Sequence, residues 1–327
     1  MGVHAWVRAG ALAPALRATT FAARGFPVQP SEAVARLEAI PQAVVCGLEW
    51  GLAARDLWEL EHRLALVDDD NRGFAYEGAT MGLTLLDALV PGRATRTHAL
   101  MDGPGRPYTL LNLIGIGFAM SHLPRPAWRG VIPQMEGNRY HPVASWLAVD
   151  GYGFDQAYFH TEQVVHRQRR PKPYPWEGEP EYFLRAVDQG IGRALWFIHG
   201  GRPQAVAAAV GRFAPTRQLD LWSGVGLAAT FAGGAEAAGL ESLRRQAGPA
   251  AGHLALGAAF AALGRCDAGM VPEHTERAAA ALTGTPAERL AALVRDAVDT
   301  TRRTEGITVG YETVRRIARE HLERVHR

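Results

Sequence analysis

Residues 42–67 read QAVVCGLEWGLAARDLWELEHRLALV. Apolar side chains fall at Val44, Val45, Leu48, Leu52, Leu57, Leu60 and Leu64, several of them three or four residues apart. The charged Glu49, Arg55, Asp56, Glu59, Glu61 and Arg63 fit between them. Apolar residues recurring near the helical period, with charge on the other face, predict an amphipathic helix. Asp68, Asp69, Asp70 and Asn71 then supply a stop.

The same spacing extends outward from this stretch. It predicts helices over residues 75–89, 108–122, 141–147, 153–165, 181–198 and 204–213. Further candidates are 221–231, 237–246, 250–264, 273–282, 286–299 and 310–326. Pro286 suits a first helical turn, with Thr285 near the cap. Short apolar runs such as Leu195–Ile198 could instead be buried strands, but the balance of spacing and propensity favours helix. The expected fold is therefore all-α or mainly α. A loose recurrence suggests an irregular multi-helical array built from degenerate helical repeats. Glycines, small residues and aromatic or acidic neighbours return in 73–82, 150–154, 188–193, 220–226 and 252–260. Small residues there would let helix backbones approach closely. No fixed period establishes a solenoid. Residues 1–26 read as an N-terminal surface segment, weakly amphipathic. Residues 27–327 read as a single large helical domain, with the Arg- and Pro-rich run at 167–180 a candidate join between two lobes.

Composition narrows the function classes. The chain has 327 residues, 47% of them apolar, so a large core is available and disorder is disfavoured. A formal charge of +2 gives no reason to expect nucleic-acid binding. Two cysteines, Cys46 and Cys266, form no CxxC pair, which argues against a thiolate zinc site or a disulfide framework. Lys172 is the only lysine, which leaves few options for Schiff-base chemistry. No stretch approaches 18 uninterrupted apolar residues, and the N-terminus lacks the long apolar core of a secretion signal. No transmembrane segment is expected, and the cytoplasm is the default compartment.

Candidate chemistry falls in several places. Asp150 and Asp155 bracket a glycine-aromatic run, with His160, Glu162 and His166 following. On one continuous helix Asp155 and Glu162 would align over two turns, and such a cluster could move a proton, hold a metal, or form a solvated face. Asp188 and Arg193 flank two glycines and could form an ion pair or position a polar end of a substrate. The third glycine of a dinucleotide fingerprint is missing. Arg217 and Asp220 precede Trp222-Ser-Gly, but GxSxG is absent. Asp220 also suits a helix cap before Leu221. Glu77 sits in an apolar helical segment, either as a general acid with a raised pKa or as half of a buried Arg–Glu pair. His253 lies among Leu254, Leu256 and Phe260, either as a hydrogen-bonded core histidine or as a proton shuttle or iron ligand. No built-in cofactor motif is evident and no metal site is assigned.

The combination of Asp188-Gln-Gly-Ile-Gly-Arg193 with Asp220-Leu-Trp-Ser-Gly-Val-Gly226 resembles the DUF1702 or UnbL-like family. So do 73–82, 150–154, Tyr182 with Arg185, 220–234 and 252–260, so that the resemblance runs from about Ala18 to Leu322. Asp155 departs from it, since a histidine is expected at that place. Members are found among enediyne polyketide biosynthesis proteins. The resemblance implies work on a linear conjugated polyene or an early enediyne-core intermediate, held in an apolar cavity. Glu77, Asp150, Asp188, His160 or His253 would transfer protons, and Arg193 or Arg217 would orient an oxygenated end. Isomerisation, cyclisation and acetylenation are the implied reaction classes. Acetylenation is oxidative and calls for a metal or a redox cofactor supplied by a partner. A non-catalytic polyene or enediyne-binding protein, and a helical scaffold for a biosynthetic complex with protein partners, are the rival classes.

Overall fold

The computed structural model describes residues 19–89, 95–305 and 310–325. Among these residues there are fourteen α-helices and no strand. In chain order they are α1 (Glu32–Ala53), α2 (Leu57–Leu64), α3 (Asp69–Leu89), α4 (Arg96–Asp102), α5 (Thr109–His122), α6 (Trp146–Phe159) and α7 (Pro180–Ile198). They continue with α8 (Pro203–Gly211), α9 (Pro215–Ala232), α10 (Ala237–Ala247), α11 (Ala251–Asp267), α12 (Glu273–Thr283), α13 (Ala287–Glu305) and α14 (Tyr311–Val325). Leu195–Ile198 is helical, not a strand.

The expected helix over 42–67 is two helices. Ser31 caps α1, its side chain accepting from Val34 N, and α1 runs through Pro41 to Ala53. Ala54 is extended, and Asp56 restarts the chain by accepting from Glu59 N at 2.8 Å. A cap satisfies one orphan amide of a new helix, and here it outweighs continuity of the apolar stripe. The expected helices at 141–147 and 153–165 are one helix, α6, over 146–159. His160 sits at its C-cap and Glu162–His166 form a separate wider turn. Asp155 and Glu162 therefore do not share a helix face. Asp220 lies inside α9, not at its cap, because the helix begins at Pro215.

Helices α1, α3, α5, α6, α7, α9 and α11 pack side by side in that order. Facing residues climb together, as with Gly47 on Ala75 and Gly51 on Ala79, so neighbours run in the same direction. Each is followed by a return segment, and α8, α10 and α12 pack on one another as an outer layer. Glycine sets the spacing. Gly115, Gly151, Gly190 and Gly224 are each followed two residues later by a second glycine. Two positions on a helix are about 200° apart, so such a pair serves both neighbours. A methyl at Gly151 would strike the Ile114 carbonyl of the preceding helix, and one at Gly153 would strike Val187 of the next. The other three pairs behave alike. With Gly78 and Gly257 the first glycines recur at 33 to 39 residues, a period too variable to stand out in the sequence.

The row curls until its ends meet. Phe74 of α3 lies 5.3 Å from Phe231 of α9, ring centre to ring centre. Arg265 of α11 donates to the carbonyls of Asp70 and Phe231. Of the expected N-terminal surface segment, residues 1–18 lie outside the described residues. Within 19–26, Phe21 and Phe26 are buried, Phe26 edge-on to Tyr158. The stretch Ala237–Asp267 is long and apolar enough to cross a membrane by length and composition, and 72% of its most apolar window is buried in the fold.

Candidate functional site

The inner face of α1, α3, α5, α6 and α7 encloses a cavity of about 420 Å³. That volume lies within the range of small-molecule sites, about 300–1,000 Å³. Its walls are apolar and largely aromatic, with Val44 and Leu48 from α1, Phe74 from α3, Phe118 from α5, Phe154 from α6 and Phe197 from α7. The segment before α1 straps one side. Tyr158 donates from its hydroxyl to the Thr19 carbonyl at 2.7 Å, and Arg24 donates to the Tyr158 and Phe159 carbonyls at the end of α6. A cation suits the exposed carbonyls of a helix C-terminus.

The floor of the cavity holds Glu77 and Arg193. Glu77 is 1% exposed, and its Oε1 has no hydrogen-bond partner among the described residues. Burial pushes its carboxyl up to about 8, opposed by the Arg193 guanidinium and helped by Asp150. It therefore keeps its proton at neutral pH. Arg193 Nη1 donates to Asp150 Oδ1, while Nη2 stands 3.9 Å from Glu77 Oε1, beyond hydrogen-bond reach. Gln189 donates to the other Asp150 oxygen at 2.8 Å. The close glycine contact of α6 with α7 brings these side chains together. The expected Asp188–Arg193 pair does not form. The two are five positions apart on α7, about 140° around the helix, and each finds a partner on a different neighbour.

A second polar group lies at the cavity rim. Asp155 is buried, and burial raises its carboxyl to about 7, with Ser121, Gln156 and Arg24 pulling the other way. His122 Nε2 stands 3.9 Å from Asp155 Oδ2. Burial, helped by His160, lowers the His122 imidazole. His160 lines the same cavity from an exposed position at the end of α6. Ser121 and His122 were not among the sequence candidates. They end a largely apolar helix whose other polar residues are Thr109 and Asn112, and nothing local marks them as cavity-facing.

The DUF1702 family, described as a protein of unknown function, matches residues 3–322. The chain belongs to the DUF1702 family. No curated protein and no solved structure matches it. Four of the nine sequence candidates in this DUF1702 protein line the cavity: Glu77, Asp155, His160 and Arg193. Asp150 stands behind Arg193.

The other four candidates lie elsewhere in this DUF1702 protein. Asp188 accepts from Arg217 at 2.5 Å and from Arg170 at 3.2 Å, and burial raises its carboxyl despite them. Asp220 accepts from Arg185 and Arg315. Burial alone would raise Asp220, but the two guanidiniums win and hold it below the ordinary carboxylate value. Arg315 of α14 also donates to the Tyr182 hydroxyl. His253 packs near this group. Burial, with Arg319 and Arg315 alongside, lowers it to about 4, and its Nδ1 has no partner among the described residues. Among the described residues no group of three or more His, Cys, Asp or Glu side chains could hold a metal ion.

Proposed function

We propose that this protein encloses a linear conjugated polyene, or an early enediyne-core intermediate, and isomerises or cyclises it by proton transfer. The observation that carries the reading is Glu77, a buried carboxyl with an unpartnered oxygen among the described residues, on the floor of a cavity with aromatic walls. A buried acid kept neutral at pH 7 can hydrogen-bond to, or protonate, a bound molecule. Asp155, raised to about 7 in the same cavity, is poised to accept a proton and return it elsewhere, with His122 beside it. Moving a proton from one carbon to another conserves atoms and electrons, so the reaction needs no oxidant. The aromatic walls suit a flat conjugated body and exclude water from reactive intermediates. The family resemblance supplies the enediyne setting, and other biosynthetic proteins would deliver and receive the molecule.

The test uses a synthetic all-trans linear polyene hydrocarbon and purified protein in D₂O. Wild type is expected to shift the absorption spectrum of the polyene and to place deuterium on carbon. Glu77→Gln should slow both by about 10²–10⁴-fold, the usual share of general acid–base catalysis. The strap from Thr19 to Arg24 over the cavity favours one second reading, a shielding protein. Stoichiometric binding by wild type, with neither conversion nor deuterium uptake, would overturn catalysis in its favour.

A further inference from the structure

We infer that Glu77 and Arg193 form a cradle for a carbonyl oxygen, so the molecule this cavity takes is a conjugated carbonyl compound, an enone or polyenone. The inference rests on the reading of the cavity as a polyene site and narrows its substrate class. The argument starts from what the floor leaves unsatisfied. Glu77 is buried with Oε1 unpartnered among the described residues, and Arg193 Nη2 approaches that oxygen only to 3.9 Å. Asp150 engages Nη1, and Arg193 lines the cavity with Nη2 as the arm nearer Glu77. An oxygen seated beside this gap can accept from Nη2 and from the Glu77 carboxyl together.

Three ligand chemistries compete for that position. A hydrocarbon would leave the carboxyl buried and unpaired, the costly outcome for a polar group taken out of water. A carboxylate would meet a floor whose single cation already faces Asp150, so no surplus positive charge would repay its desolvation. A neutral carbonyl accepts both hydrogen bonds and carries no charge to desolvate. A protonated carboxyl serving as an oxyanion donor is a known solution to the same problem.

The cradle also gives the proton transfer an electron sink. The Asp155 carboxylate removes a hydrogen from a carbon conjugated with the carbonyl, breaking that C–H bond. The electron pair moves through the double bonds to the oxygen, which becomes an enolate held by Glu77 and Arg193. Asp155 returns the proton to a different carbon and the carbonyl reforms. The product is an isomer, with nothing oxidised or reduced.

The experiment compares an all-trans linear trienone with the triene hydrocarbon of equal length, by equilibrium binding and absorption spectroscopy. Wild type should bind the trienone roughly tenfold tighter, the factor worth about one net hydrogen bond. Its absorption band should move to longer wavelength as the oxygen accepts. Glu77→Ala should abolish both effects, with folding checked by circular dichroism. Glu77→Gln, whose amide still donates, should retain much of the band shift. Equal affinity for the two molecules with no band shift overturns the cradle while leaving hydrocarbon isomerisation standing. A band shift unchanged in Glu77→Ala also overturns it. If neither molecule binds, the cavity reading and the cradle fall together.

Discussion

Two buried clusters of carboxylates and arginines lie along the same row of helices, and their stoichiometry is opposite. Around Asp188 and Asp220 each acid has two arginines, Arg217 with Arg170 and Arg185 with Arg315. On the cavity floor one arginine, Arg193, stands between two acids, Asp150 and Glu77. With two arginines each, both acids cross-link elements, and Asp220 is held below the ordinary carboxylate value while burial still raises Asp188. An arginine already taken by one acid leaves the other, buried beside an apolar-walled cavity, to keep its proton. The same residue types therefore build a brace in one region and a chemical group in the other.

The sharpest way to break that contrast is to remove a brace. Arg315 is fully buried and joins α14 to Asp220 of α9 and Tyr182 of α7. Arg315→Met leaves Asp220 buried with a single half-exposed partner, Arg185. Removing one side of a buried pair costs about 3–5 kcal/mol. Urea denaturation should show that loss, and an unchanged midpoint would mean that the Arg-rich cluster is no brace.

A somewhat smaller effect is expected where the floor is set by backbone contact. A methyl at Gly190 would run into the Asp150 carbonyl and the Phe154 amide. Gly190→Ala should cost about 1–3 kcal/mol through overpacking and should spread α6 from α7. Asp150 would then lose its grip on Arg193, and polyene binding should weaken more than stability. Gly211→Ala is the control, since nothing lies within 4 Å of a methyl there. It should be neutral or slightly stabilising by thermal melting.

How much of this was legible follows from which forces act locally. Helical spacing and the burial of Glu77 were readable, because both belong to one segment. The recurrence of small residues at 73–82 and 150–154 was visible. Gly115 and Gly117 give no such signal, because no acid or aromatic directly precedes them. The break at Ala54 was hidden by an apolar stripe that continues through it, although Asp56 carried the cap. Partner choice was not legible at all. Asp188 meets Arg217 and Arg193 meets Asp150 only because successive helices lie in register, a tertiary fact that spacing along one helix does not contain. Ser121 and His122 reach the cavity for the same reason.

The third test reads the cavity floor through pH. Glu77 rises from the ordinary 4.5 to about 8 on folding. Between those values the native state binds more protons than the unfolded chain, so stability falls as pH rises through the window. Asp155, raised to about 7, has the same sign over a lower window. Glu77→Gln removes the larger contribution. Its unfolding free energy should match wild type near pH 4 and exceed it near pH 9, by an amount on the order of a few kcal/mol. Parallel curves across that range would mean that Glu77 is not the proton-holding group.

The smallest effect belongs to the Arg-rich side and has the opposite sign. Burial with Arg319 and Arg315 depresses His253 from 6.5 to about 4. Between those values the unfolded chain takes up a proton that the native state refuses, so stability is lost as pH falls. His253→Gln should flatten the acid limb of the pH–stability curve while leaving the alkaline limb unchanged. Glu77→Gln should remove the decline of stability between pH 4.5 and about 8. The two windows overlap between pH 4.5 and 6.5, but the groups share no hydrogen bond, so combining the variants should give the sum of their effects at every pH. If the double variant departed from that sum, the two clusters would be one coupled network. The division between a structural brace and a chemical floor would then have no basis in charge.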